Sequence, residues 1–206
     1  MKKKLLLIMA MVVALVGCNT GNTDTISITA TPESDYRNTF EELGLGQLFD
    51  FDFILPNADT SWVTLWVEKY SDGEKEKEKE PIAELSYGMS PNKKDEGKLG
   101  FGMINPRSED SQVFLYGPGT TLHPSKKELG LDAKSSFTWG YATEETINLE
   151  IGETKVLAGY RQATGNSIRT YGYQTEEDIE RMIEEDSIVL LLKIKVERAE
   201  EKDKLE

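Results

Sequence analysis

Short segments in which apolar and polar residues alternate recur along this chain, and they limit its fold more than any other feature. In LFDFDFIL, the side chains of Phe49, Phe51 and Phe53 fall on one face of an extended strand, and those of Asp50 and Asp52 fall on the other. Alternation with a period of two is typical of strands that bury one face. The pattern therefore predicts a mostly β fold.

Polar turn signals separate these segments. They occur at Asp72-Gly73, Ser90-Pro91-Asn92, Asn105-Pro106, Pro118-Gly119 and Gly165-Asn166. Such dipeptides favour tight turns, which join antiparallel strands, whereas parallel strands need long crossover connections that are usually helical. We therefore expect an all-β fold, an antiparallel β-sandwich with a barrel as the alternative.

Two segments show a helical pattern. In TEEDIERMIEED, Thr175 is a suitable N-cap, acidic residues fill the first turn, and Ile179, Met182 and Ile183 form an apolar stripe. This segment predicts one short helix directly before the last strand, at 187–197. A weaker signal at 37–46 predicts a further turn or two of helix.

The N-terminus has the pattern of an export signal. Lys2, Lys3 and Lys4 precede an apolar run at 5–16 that is too short to span a bilayer as a helix. The sequence LVGC that follows, ending at Cys18, resembles the lipobox of bacterial lipoproteins. The resemblance covers only residues 1–18, and it implies that a diacylglyceryl group is attached to Cys18 and that the chain is cleaved before it. The alternative is an ordinary signal peptide with a free or buried thiol.

These patterns divide the chain into four parts. Residues 1–17 form the lipoprotein signal peptide, and residues 18–35, rich in Thr, Asn, Ser and Gly, form a flexible tether. Residues 36–198 form a single sandwich domain, and residues 199–206 form a charged tail. The alternation of Ile26 and Ile28 leaves open that a first strand begins within the tether.

The charge of the chain excludes some partners. The formal net charge is −13, and removal of the three lysines in residues 1–17 makes it −16. Nucleic acid is therefore a poor partner, because its phosphates require clustered Lys and Arg. Cationic proteins, neutral glycans and Ca²⁺ stay open, although the chain has no D-x-[DN]-x-[DN]-G calcium loop.

Catalytic signatures are scarce in the sequence. His123 is the only histidine and Cys18 the only cysteine. The chain therefore has too few of these residues for a zinc site, and only one histidine that could act as the base for a nucleophile. The chain has no G-x-S-x-G, H-E-x-x-H or Walker-type motif. We therefore predict no catalytic residue, no metal ligand and no cofactor apart from the lipid. A pair of carboxylates acting on a glycan stays open, because the chain has 37 acidic residues.

The sequence feature that most resembles a binding site is aromatic. In WVTLWVEKY, Trp62, Trp66 and Tyr70 share one strand face, opposite a face of valine and leucine. Trp139 lies in a second alternating aromatic segment, SFTWGYA. Rings spaced along a strand stack on sugars or anchor a protein partner, although large rings in a sandwich also serve as core. Trp62, Trp66, Tyr70 and Trp139 are therefore the predicted ligand-binding residues.

Together these observations predict a non-enzymatic binding or interaction module of the cell envelope. It is held by lipid on the extracytoplasmic face of a membrane and recognises a glycan or a protein. One alternative is a carboxylate-based glycan hydrolase of the envelope. Another is a structural, assembly or immunity lipoprotein with a basic protein partner. The sequence does not set the oligomeric state.

Overall fold

The fold is described from a computed structural model, which covers residues 25–75, 80–165 and 167–202. The strands are β1 (Ile26–Ala30), β2 (Gly46–Pro56), β3 (Ser61–Ser71), β4 (Glu74–Lys75), β5 (Ala83–Gly88), β6 (Lys94–Ile104), β7 (Gln112–Gly117), β8 (Thr120–Lys126), β9 (Phe137–Tyr141), β10 (Ile147–Leu149), β11 (Thr154–Ala163) and β12 (Asp186–Arg198). The helices are α1 (Asp35–Glu42), α2 (Glu176–Glu185) and the single turn α3 (Ala199–Lys202).

The strands form two sheets. In sheet I the order is β10-β1-β2-β6-β7-β8, and in sheet II it is β4-β3-β12-β11-β9, with β5 also paired to β3. Neighbouring strands run antiparallel in both sheets. Among the described residues neither sheet closes on itself. The predicted antiparallel sandwich is therefore confirmed, and the barrel alternative does not apply.

The main core lies between the two sheets, and the alternating segments supply it. Phe49, Phe51 and Phe53 are each 1% exposed on the inner face of β2. Val63 and Leu65 of β3 are fully buried on the facing sheet. The two inner faces thus pair aromatic with aliphatic side chains, as the period-two pattern predicts.

The predicted helix before the last strand is also confirmed. The side chain of Thr175 accepts a hydrogen bond from the amide of Asp178 and caps α2. The apolar stripe of α2 packs on the outer face of sheet II, where Met182 is fully buried against Val189 and Leu191. This second, smaller core covers only part of that face.

Two segments differ from the sequence-based expectation. Strand β1 lies within residues 18–35, which the composition assigned to a tether, and Ile28 is fully buried. The folded part therefore begins earlier than residue 36. The sequence IRTYGY at 168–173 shows a weaker alternation that predicts a further strand, but these residues form none, and Tyr173 instead packs on sheet II. In the described part of the chain, no helix is long and apolar enough to cross a membrane.

Candidate functional site

The predicted aromatic face exists on the outer side of sheet II. Trp62, Trp66 and Tyr70 alternate along β3 with the buried residues of its inner face, and all three are half-buried. Strand geometry separates successive rings on this face, four residues apart, by about 13 Å. The register with β12 places Trp66 beside Lys193. The outer face thus presents aromatic rings among charged side chains.

Much of this face is organised by the carboxylate of Glu68. It accepts hydrogen bonds from the indole nitrogen of Trp66 at 3.1 Å and from the hydroxyl of Tyr70 at 2.5 Å. The ammonium of Lys193 binds the same carboxylate at 2.8 Å. Burial alone would raise the pKa of Glu68, but the bonds from Lys193, Tyr70 and Trp66 outweigh burial and lower the pKa to about 2. The polar atoms of Trp66 and Tyr70 are therefore engaged within the protein.

The four predicted ligand-binding residues do not form one surface. Tyr70 packs against the second core under α2, while Trp62 and Trp66 lie on the part of the face beyond that core. Trp139 projects into the sandwich from β9, where its ring meets that of Phe49 edge to face at 6.1 Å. Cys18, the predicted lipidation site, lies outside the described residues.

A pocket that the sequence did not predict lies on the outer face of sheet I. Two glycines of β6, Gly100 and Gly102, pair in register with Tyr116 and Phe114 of β7. A Cβ atom at Gly100 would overlap the Tyr116 hydroxyl, and one at Gly102 would overlap the Phe114 ring. The glycines are thus the reason that both rings can lie across β6 toward β2.

Helix α1 covers these two rings incompletely. Tyr36 meets Tyr116 with ring centroids 6.3 Å apart, and Phe40 meets Phe114 at 5.9 Å. The hydroxyl of Ser34 caps the helix, although no residue of α1 is fully buried and Tyr36 is 57% exposed. Ring pairs at these centroid distances are in contact, so α1 rests on the sheet through Tyr36 and Phe40 while much of its surface stays exposed.

The guanidinium of Arg37 holds the other side of α1. It lies 4.8 Å from the centroid of the Trp139 ring, within cation–π range, and donates to the carbonyl of Pro32 at 2.6 Å. Trp139 therefore contributes to the position of α1 from inside the sandwich.

A buried carboxylate lies beneath the pocket. Asp50 is fully buried on β2, although alternation alone had placed it on an open face. It accepts hydrogen bonds from the hydroxyls of Tyr116 at 2.7 Å and Thr31 at 3.0 Å, and Lys98 approaches it at 3.2 Å. Burial and the nearby Asp50 raise the pKa of the Tyr116 phenol well above its usual range. Tyr116 therefore stays neutral and donates a hydrogen bond to Asp50.

The space between α1, the sheet and the β7–β8 turn is a pocket of about 880 Å³, within the size range of small-molecule sites. Four rings dominate its wall, those of Tyr36, Phe40, Phe114 and Tyr116. The other lining residues are Asp35, Thr39, Leu45, Leu48, Glu96, Gly97, Lys98, Gly117, Pro118, Gly119, Thr120 and Thr121. The pocket can therefore enclose an apolar or aromatic group and offer polar contacts at its rim.

The comparison with family models decides how the chain is classified. The model of the YgaN domain matches residues 37–196, which is most of the chain. The chain belongs to the YgaN domain family. No curated protein and no solved structure matches it.

The YgaN match spans most of the pocket. It begins at Arg37 within α1 and includes both glycines of β6, the rings of β7 and Asp50. It also includes the Glu68 network and α2 on the opposite sheet. The pocket is thus part of the YgaN domain, whereas Cys18 and β1 precede the matched residues.

Two charged side chains that line the pocket, Lys98 and Glu96, form ion pairs with neighbouring residues. Lys98 bridges Asp50 and Asp52, at 3.2 and 2.9 Å, and Glu96 pairs with Lys94 at 2.5 Å. In the part of the chain that the structure describes, no group of His, Cys, Asp or Glu could hold a metal ion. His123 lies exposed in edge strand β8.

One sequence signal could have located the pocket. GFG in β6 puts two glycines on one strand face, and FLY in β7 puts two aromatic rings on one face. Glycine beside an aromatic residue on an adjacent strand lets the ring cover the glycine. Without the pairing register, however, the two motifs cannot be linked.

Proposed function

We propose that this YgaN domain is a non-catalytic binding module of the bacterial cell envelope, anchored by lipid at Cys18, that encloses an apolar or aromatic group in the pocket beneath α1. The observation that supports the proposal is the pocket itself. Its four rings are positioned by two glycines, a buried carboxylate and the Arg37–Trp139 contact. Such a preorganised aromatic wall lowers the ordering cost of binding.

The state of the pocket's polar groups favours binding over hydrolysis. Asp50 is occupied by Tyr116, Thr31 and Lys98, and the raised pKa of Tyr116 makes it a poor proton donor to a substrate. A glycoside hydrolase would instead need two carboxylates that face a shared space, one of them able to release a proton. A binding role requires no change in the protonation or hydrogen bonding of Asp50 and Tyr116.

The pocket can be tested with an uncharged fluorescent probe, N-phenyl-1-naphthylamine, whose emission rises in apolar surroundings. The chain from Thr25 onward is titrated as wild type and as Tyr36→Ala and Trp62→Ala. Loss of one ring contact of about 1 kcal/mol weakens binding roughly fivefold, and we expect this for Tyr36→Ala only.

The Trp62→Ala variant is the matched control, because it removes a half-buried ring from the outer face of the other sheet. If only Trp62→Ala weakens binding, the ligand site is the aromatic face of sheet II, as the sequence predicted. If the probe's emission does not rise with any of the three proteins, the pocket does not bind apolar groups and the proposal fails.

The lipid anchor is tested separately. Cells that express the full chain are fed an alkyne-labelled fatty acid, and the chain is isolated from their membranes. We expect label on the wild type and none on Cys18→Ser, with the variant lost from the membrane fraction. Equal membrane retention without label would contradict lipidation.

A further inference from the structure

The rim of the pocket carries more negative than positive charge. Lys98 faces two aspartates, Asp50 and Asp52, and the charge of Glu96 is balanced by Lys94. Asp35 lines the pocket and forms no ion pair with any described residue. The paired groups therefore leave an excess of carboxylate around an aromatic space.

Aromatic rings add to this preference. The faces of aromatic rings carry partial negative charge and attract cations within about 6 Å, most strongly when water is excluded. Tyr36, Phe40, Phe114 and Tyr116 all line the same space, and Tyr116 is neutral because burial and the nearby Asp50 raise its pKa. Rings suit a cation with an apolar surface better than a strongly hydrated metal ion.

We infer that the ligand of this pocket is a small organic cation, an ammonium whose charge is covered by methyl or other apolar groups. The inference rests on the proposed function, because it names the chemical class that the same pocket takes. The rings contact the apolar groups, and Asp35 faces the charge from the rim. An anionic ligand would meet the uncompensated carboxylate instead.

Three probes of matched shape separate the effect of charge from that of size. They are choline, which is cationic; 3,3-dimethyl-1-butanol, its uncharged isostere; and 3,3-dimethylbutanoate, the anionic counterpart. Binding is measured by saturation-transfer NMR on the full chain in phosphatidylglycerol nanodiscs, with empty nanodiscs as the reference. We expect choline to bind roughly fivefold or more tightly than the alcohol, in line with cation–π energies, and the anion to bind most weakly.

Variants locate the charge preference. Asp35→Asn is expected to weaken choline binding and leave the alcohol unchanged, whereas Glu84→Gln, an exposed acid on sheet II, leaves both unchanged. Asp35 also lies in the first turn of α1, where a carboxylate complements the helix dipole. Tyr36→Leu therefore serves as a second variant, which retains Asp35 and is expected to lose the preference for choline.

The outcomes distinguish this inference from the proposed function. Equal or tighter binding of the alcohol or the butanoate overturns the cation inference while the pocket stands as a binding site. If none of the three probes binds but N-phenyl-1-naphthylamine still does, the cation inference is likewise overturned and the pocket stands as a binding site. If that neutral probe also fails to bind, the proposed function fails together with the inference.

Discussion

Replacement of Glu68 by glutamine tests the network on the outer face of sheet II. The substitution preserves the shape of the side chain but removes the negative charge that binds Lys193 at 2.8 Å. The side chains of Glu68 and Lys193 are 12% and 18% exposed, so water cannot fully replace the lost attraction. We therefore expect the variant to fold with lower stability.

The size of the effect follows from the pKa of Glu68, which falls from 4.5 to about 2 on folding. Each pKa unit corresponds to about 1.4 kcal/mol, which gives about 3 kcal/mol at pH 7. Screening by solvent on a partly open sheet face reduces the expected loss to roughly 1–2 kcal/mol. Because the folded pKa is depressed, this contribution is complete well above pH 4.5 and disappears as the pH falls through 2.

Urea unfolding of the chain from Thr25 onward, followed by circular dichroism, measures this difference. Wild type, Glu68→Gln and the control Glu84→Gln are compared at pH 7 and pH 3. Glu84 is exposed on the neighbouring strand β5. At pH 3 the gap between wild type and Glu68→Gln is expected to shrink to about two fifths of its value at pH 7.

Two results would refute this reasoning. If Glu68→Gln and Glu84→Gln lower the free energy of unfolding equally, the buried Glu68 network contributes no more to stability than an exposed carboxylate does. If the loss for Glu68→Gln does not change with pH, it arises from altered packing or hydrogen bonds and the pKa of Glu68 is not depressed.

Three further substitutions test other parts of the fold. Gly100→Ala is expected to cost about 1–3 kcal/mol or more and to abolish probe binding, because the new Cβ would overlap both the Phe49 carbonyl oxygen and the Tyr116 ring; unfolding and probe titration measure the two effects. Asp186→Asn leaves buried Arg161 without its 2.5 Å ion pair, and we expect it to lower the free energy of unfolding, measured in urea, by about 3 kcal/mol. The double variant Arg161→Met, Asp186→Leu is expected to have a stability closer to that of the wild type. Trp139→Ala is expected to lower Tm and to weaken probe binding at the pocket, because its ring packs inside the sandwich and also contacts Arg37 of α1.

The inner face of the sandwich could be predicted because alternation reports which side chains share a face. Phe49, Phe51 and Phe53 are on one face and are buried together, as the sequence indicates. The same pattern cannot report what covers the other face. Asp50 is therefore buried against expectation, because Tyr116, Thr31 and Lys98 surround its carboxylate.

Residues 168–173 show the complementary failure. They alternate like a strand, but Tyr173 lies flat on the outer face of β11 at Gly159, where a Cβ would overlap its ring. Alternation indicates that some side chains are buried, and a segment can meet that requirement by packing on a sheet instead of pairing within it. Only the contact of Tyr173 with Gly159, which is distant in sequence, shows that the segment packs on the sheet and does not pair within it.

Both sheets place a glycine beneath an aromatic ring on their outer face, but the helix that covers each ring is buried to a different degree. In each sheet, glycine on an inner strand lets an aromatic ring lie across the outer face, as with Gly100 and Tyr116 or Gly159 and Tyr173. Helix α2 buries Met182 completely in the second core, and a pocket of about 970 Å³ lined by Tyr70, Tyr173 and Ile183 lies beside that core. No residue of helix α1 is fully buried; its rings contact those of β7 at centroid distances of 5.9 and 6.3 Å, and the pocket opens beside these contacts, toward the β7–β8 turn. An ordered aromatic wall beneath an incompletely packed helix is costly to leave facing water, and a ligand that fills the space would recover that free energy.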